Sequence, residues 1–230
     1  MCSKIKTVKS LAMVILLITL VSNTNAQSSK FSISVNALTT NFNYGEAGAE
    51  LKPYKKDYRG LQAGFSYQAG ITPMFSLVPE IYFAVKGGTL SVNNPITQGK
   101  STLRLNSLEL PVLARFHIRN IYLNAGPYAG YNVGGRMKIE STNTSTESSS
   151  KLSFGNGADQ IKRLDFGFQA GAGYNFNVKH SILTLDVRYG YGFVNIFQDI
   201  ERYNRMLKIS VQVSKPGKMI SGKKRRDTDI

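Results

Sequence analysis

A chain of 230 residues is enough for one domain and little more. Its 29 Lys and Arg against 14 Asp and Glu give a formal net charge of +15, and 42% of its residues are hydrophobic at a mean hydropathy of −0.18. With one cysteine, Cys2, the sequence excludes an internal disulfide and a thiolate metal cluster.

Residues 1–26 read as an export signal. Lys4, Lys6 and Lys9 make a positive start, Leu11 to Val21 is an apolar run, and Asn25-Ala26 before Gln27 is a small-residue cleavage site. That run is too short to cross a ~30 Å hydrocarbon core as a helix. Cys2 precedes it, where a lipoprotein cysteine would follow, so lipidation is not expected. Removal of this segment leaves no thiol and 26 basic residues against 14 acidic ones. For an exported chain the fitting counter-charge is anionic lipid or lipopolysaccharide, not nucleic acid.

Residues 27–213 read as β-strands with a period of two. The clearest is Leu164–Asn177. Leu164, Phe166, Phe168, Ala170, Ala172, Tyr174 and Phe176 alternate with Asp165, Gly167, Gln169, Gly171, Gly173, Asn175 and Asn177. One face is apolar and the other polar or glycine, which suits a strand between two solvents. The same alternation runs through Leu61–Thr72, Ile121–Gly134 and Leu183–Phe193, and more weakly through Phe31–Ala37, Leu77–Lys86, Leu103–Phe116 and Leu207–Val213. In Leu103–Phe116 the apolar parity switches between Leu105 and Leu108, which predicts a β-bulge there. These make eight strands.

The connections alternate in length. Short polar turns are predicted near Thr72–Ser76, His117–Asn120 and Asn177–Ser181, and long stretches at Leu38–Gly60, Gly87–Thr102, Arg136–Arg163 and Asn195–Tyr203. Segregated loop lengths mark an all-β, eight-stranded antiparallel up-and-down transmembrane β-barrel with its short turns in the periplasm. The stretch Leu164–Phe176 rises roughly 40 Å as a strand and, tilted about 40°, spans roughly 30 Å of membrane. Its aromatic residues lie toward both ends, at the two lipid–water interfaces. A lipocalin-like soluble barrel would turn the apolar set inward, but the glycine-rich polar set is too small to serve as a water-facing surface.

Four stretches, LELPVLARF (Leu108–Phe116), YLNAGPYAGY (Tyr122–Tyr131), DFGFQAGAGYNF (Asp165–Phe176) and VRYGYGFVNI (Val187–Ile196), resemble the PorT-like outer-membrane β-barrel family. The resemblance implies an eight-stranded barrel in the bacterial outer membrane, and the family name derives from a component linked to type IX secretion and gliding. One departure is the end of the chain. Relatives usually finish on a strand with a terminal aromatic, whereas here residues 214–230 carry Lys223, Lys224, Arg225 and Arg226. This periplasmic basic tail either docks a partner or anionic headgroups or is a disordered, solvated terminus; the second is the simpler expectation.

Inward-facing parity places Glu80, Lys86, Glu109, Arg115, Asp165, Asp186, Arg188 and Lys208 in the lumen, four of each sign. Charges away from bulk water must pair, so a salt-bridged core that plugs the lumen is expected, with a narrow ion path as the rival. No catalytic, cofactor-binding or metal-binding residue is expected. The two histidines, His117 and His180, fall in or beside periplasmic turns, far from the extracellular rim where barrel enzymes work. In the first long loop Lys52, Lys55, Lys56 and Arg59, beside Tyr54 and Tyr58, are candidate lipopolysaccharide contacts or an ordinary solvated loop. Asn143-Thr144-Ser145 matches a glycosylation sequon of little weight in a bacterium, and the Ser/Thr-rich stretch Ser141–Ser150 reads as a mobile part of the third loop.

The sequence therefore predicts a non-enzymatic structural or interaction component of the envelope, with a transport role as the alternative. That role would be porin-like passage of small solutes or a part in a secretion or gliding system. Its expected partners are outer-membrane lipids, lipopolysaccharide and other envelope or secretion proteins.

Overall fold

A computed structural model describes residues 29–215 except 98, 141–146, 156, 158–159 and 198–200. The predicted signal, the sequon and nearly all of the basic tail lie outside the described residues. The period-two segments form β1 (Lys30–Asn43), β2 (Lys55–Lys56), β3 (Tyr58–Gly70), β4 (Phe75–Leu90), β5 (Lys100–Ile118), β6 (Ile121–Glu140), β7 (Glu147–Lys151), β8 (Leu164–Val178), β9 (Ser181–Gly192) and β10 (Tyr203–Ser214). Eight of them pair antiparallel in the order β4-β3-β1-β10-β9-β8-β6-β5, and pairing of β4 with β5 closes the ring. Closure leaves no unpaired edge in the eight-stranded ring, as a lipid environment demands. The short strands β2 and β7 extend the wall beside β4 and β6.

Short and long connections alternate as the sequence predicts. The links β3–β4, β5–β6 and β8–β9 take residues 71–74, 119–120 and 179–180. In the two-residue β5–β6 turn Arg119 adopts a left-handed backbone, φ 57°. On the outer face a belt of apolar side chains stands exposed, including Val35, Leu61, Phe65, Ile81, Leu110, Leu123, Phe166, Val187 and Ile209. On β5 the run Leu108 to Ile118 covers about 25 Å of height at a 40° tilt, the thickness of the apolar band of such barrels.

The walls rise past that belt. β5 and β6 are 19 and 20 residues long, and β1 and β4 run on to Asn43 and Leu90, positions the sequence assigned to loops. Here the alternation inverts. On β1 the outward residues change from Phe31, Ile33 and Val35 to Thr39 and Asn41, while the inward ones change from Ser32, Ser34 and Asn36 to Leu38, Thr40 and Phe42. Above the membrane the outer solvent is water and the interior supplies the apolar phase.

The same inversion corrects the expected bulge. β5 keeps one parity throughout, with Leu103 and Leu105 buried inside and Leu108 and Leu110 outside. The register does shift at Asn106/Ser107, but Asn106 faces Gly134 and Ser107 faces Asn132, so the extra residue is Val133 on β6. The switch of apolar parity on β5 comes from the change of solvent, not from an inserted residue.

Candidate functional site: the charged lumen

The inward face of the membrane-spanning section carries polar groups on every strand, interspersed with Val78, Ala84 and Leu113, and the eight predicted lumen charges are all buried there. Arg188 on β9 donates from Nη1 and Nη2 to Glu80 on β4 at 2.5 and 2.9 Å. Three strands separate β4 from β9 in either direction round the ring. This bidentate ion pair therefore spans the full diameter of the barrel, in the fork geometry that arginine alone provides. Arg188 Nε also lies 2.6 Å from Asp186 Oδ1, but as a neighbour on the same strand it meets that oxygen as a charge contact without hydrogen-bond alignment.

A second tie lies nearer the extracellular side. Lys86 on β4 donates to Glu109 on β5 at 2.7 Å and to Asp165 on β8 at 3.0 Å. Neutral groups complete it. Gln62 Nε2 donates to Glu109 at 2.6 Å, Asn36 Nδ2 to Gln62 at 2.7 Å, and Asn204 Nδ2 to Asp165 at 2.6 Å. Asp186 accepts from the Tyr122 hydroxyl at 2.7 Å and from Asn124 at 2.8 Å. Arg115 stacks on the Tyr122 ring at 3.9 Å and donates to Gln68 at 3.3 Å. Lys208 is held by charge alone, 3.9 Å from Glu80 and 4.7 Å from the Tyr82 ring centroid.

Glycine makes room for these groups. A Cβ on Gly64 would stand 2.7 Å from Tyr82 Cδ1, and one on Gly173 would enter the Tyr122 ring. The lumen charges were legible from parity. Their neutral partners Gln62, Tyr122, Asn124 and Tyr128, whose hydroxyl donates to Asp165 at 3.4 Å, were missed as members of the network, although each sits on the polar parity of its strand.

The two ends differ. At the extracellular end Phe42, Tyr44, Leu51, Leu90, Leu103, Leu105, Ile161 and Ile196 form a buried cluster, with Ile96, Met137, Phe154 and Phe197 packed against it. All four long connections contribute to it. At the periplasmic end a recess of about 560 Å³ is lined by Lys30, Gln68, Ser76, His117 and Asn175. His117 Nε2 lies 3.1 Å from Ser76 Oγ and 3.3 Å from Gln68 Nε2, and His180 lies in the β8–β9 turn. Among the described residues no three His, Cys, Asp or Glu side chains gather to hold a metal ion.

The candidate lipopolysaccharide residues lie on the first long connection and the start of β3. Lys52 and Lys56 are exposed, Arg59 points outward from β3, and Lys55 leans over the Tyr44 ring at 5.8 Å. Partial burial, then the charges of Arg205 and Lys52, push the Lys55 ammonium below its ordinary range.

Comparison with known families settles the class. The outer membrane protein beta-barrel domain matches residues 21–198, more than three quarters of the chain. The chain belongs to that family. It is thus an outer-membrane β-barrel, and the apolar belt is its lipid-facing surface. Among solved structures, Ail, the attachment invasion locus protein of Yersinia pestis, aligns at 12% identity over 81% of this chain and 98% of its own, with a TM-score of 0.46. OprG from Pseudomonas aeruginosa aligns at 11% identity over 85% and 97%, with a TM-score of 0.39. No curated protein matches the chain.

Proposed function

We propose that this outer-membrane barrel is a non-enzymatic structural or interaction component of the envelope whose lumen does not conduct. The observation that carries the reading is the Arg188–Glu80 pair, which crosses the diameter of an eight-stranded ring inside a charge-balanced network. Eight strands leave an interior that side chains fill, and removal of either partner would strand a buried charge. The stretches Leu108–Phe116, Tyr122–Tyr131, Asp165–Phe176 and Val187–Ile196 support placing the chain among PorT-like members of its family. Its export relies on cleavage after residue 26. Its partners are outer-membrane lipids and lipopolysaccharide, together with envelope or secretion proteins that meet the extracellular loops or the basic tail.

The test is single-channel recording in planar bilayers. The expected trace is flat over prolonged recording at ±100 mV (about 2 kcal/mol per elementary charge). Steady, reproducible conductance steps would overturn the closed lumen. They would favour the second reading, solute passage or a secretion role, to which the periplasmic recess of about 560 Å³ lends support as a vestibule.

A further inference from the structure

On the outer wall of the barrel, above the lipid belt, three cations stand in one row across three neighbouring strands. Arg104 on β5 is paired in register with Arg136 on β6, and Arg136 is paired in register with Lys151 on β7. All three are exposed, and none has an acidic partner among the described residues. Directly opposed like charges destabilise a sheet, so an uncompensated row of three marks a place where something else supplies the negative charge. The same sheet a few residues higher shows the ordinary solution, in which Lys100 and Lys138 both pair with Glu140 at 3.1 and 3.2 Å.

The row borders a recess of about 510 Å³ whose remaining lining is Asn106, Gly134 and Gly135 together with the apolar Val133, Leu152 and Phe154. The chain builds this recess. The extra residue Val133 and its neighbour Gly134 both line it, and Gly134 leaves it open, since a Cβ there would meet nothing nearer than Asn106 Nδ2 at 3.9 Å. Arg163 lies over the Phe154 ring at 4.8 Å and fixes the apolar wall. Arg104 is four residues beyond Leu108, an outward leucine of the lipid belt. At a 40° tilt this is about 10 Å of height, the level of the headgroups.

We propose that Arg104, Arg136 and Lys151 bind the phosphate of an acylated, phosphorylated glycolipid of the outer leaflet, with part of an acyl chain or the sugar face against Val133, Leu152 and Phe154. A free phosphate would satisfy the cations but leave the apolar side of the recess bare, which favours the lipid as its source. The inference rests on the outer-membrane placement and not on whether the lumen conducts.

The test is native mass spectrometry of the full-length chain in detergent, titrated with diphosphoryl lipid A and with the same lipid after enzymatic dephosphorylation. The phosphorylated lipid should bind at least about tenfold more tightly, as expected for charge-assisted hydrogen bonds. The triple variant Arg104→Gln, Arg136→Gln, Lys151→Gln should lose that preference. Gly134→Leu, which fills the recess without touching a charge, should weaken binding of both lipids. A control that removes equal charge elsewhere, Lys52→Gln, Lys56→Gln, Arg59→Gln, should leave the preference intact. A heat-shifted gel band verifies folding of each variant, and the row variant should tolerate more heat than wild type in lipid-free detergent because its repulsion is relieved. Equal binding of both lipids, or equal losses in the row variant and the control, would overturn the site. Full displacement of lipid A by millimolar inorganic phosphate would overturn the lipid as its source.

Discussion

The two mouths of this barrel are built on opposite principles. At the extracellular end the wall continues past the membrane and encloses leucine, phenylalanine and isoleucine from all four long connections. At the periplasmic end the strands stop at short turns, and the opening is a polar recess holding Ser76, Gln68 and His117. The first end resembles a small soluble core, stabilised by removal of apolar area from water. The second is bounded by groups that water satisfies as well as protein does. Between them lies a charged section in which every ion depends on its partner. The inside of a membrane barrel is thus not one environment, and what it needs changes with height.

Substitutions along the axis test that gradient. The largest effect belongs to the middle. Glu80→Ala strands Arg188 and leaves Lys208 without its nearest acid, and should cost about 3–5 kcal/mol, the usual result of breaking one side of a buried ion pair. Urea titration of the heat-shifted gel band reads this, and a loss under about 1 kcal/mol would mean that Arg188 is in contact with water. At the extracellular end Leu105→Ala should cost about 2–4 kcal/mol through the cavity it leaves. It should also expose the long loops to protease while the periplasmic turns stay resistant; uniform sensitivity at both ends would erase the distinction. Tyr122→Phe, which removes one donor from Asp186, should cost about 1.5–2 kcal/mol as a charged hydrogen bond is lost. Smallest is Ser76→Ala beside the periplasmic recess, about 0.5–1.5 kcal/mol, the net worth of its neutral hydrogen bonding to His117 and Gln68. A larger loss there would show that the recess is dry.

How far the sequence revealed this depended on which solvent lay outside. Where lipid does, polar parity marks the inside, and Glu80, Lys86, Glu109, Arg115, Asp165, Asp186, Arg188 and Lys208 were all legible before any coordinates. Above the membrane the rule reverses. Phe42, Leu90, Leu103 and Leu105 then look like loop residues or a broken alternation, and the strand extensions 38–43, 87–90, 100–102 and 136–140 were read as connections. The row of Arg104, Arg136 and Lys151 was invisible for another reason. Cross-strand register joins positions 47 residues apart, and the Val133 bulge that sets it cannot be placed from alternation alone.

The contrast between the two mouths is tested most directly by cysteine labelling in a Cys2→Ser background, since the chain has no other thiol. Asn177→Cys and Ser107→Cys variants, folded into sealed vesicles, would be exposed to a membrane-impermeant maleimide from either side. Asn177, exposed at the periplasmic recess, should label from that side only, and Ser107, fully buried beneath the apolar cluster, from neither. Labelling of Ser107 from the extracellular side would mean that the loops leave an open path into the lumen.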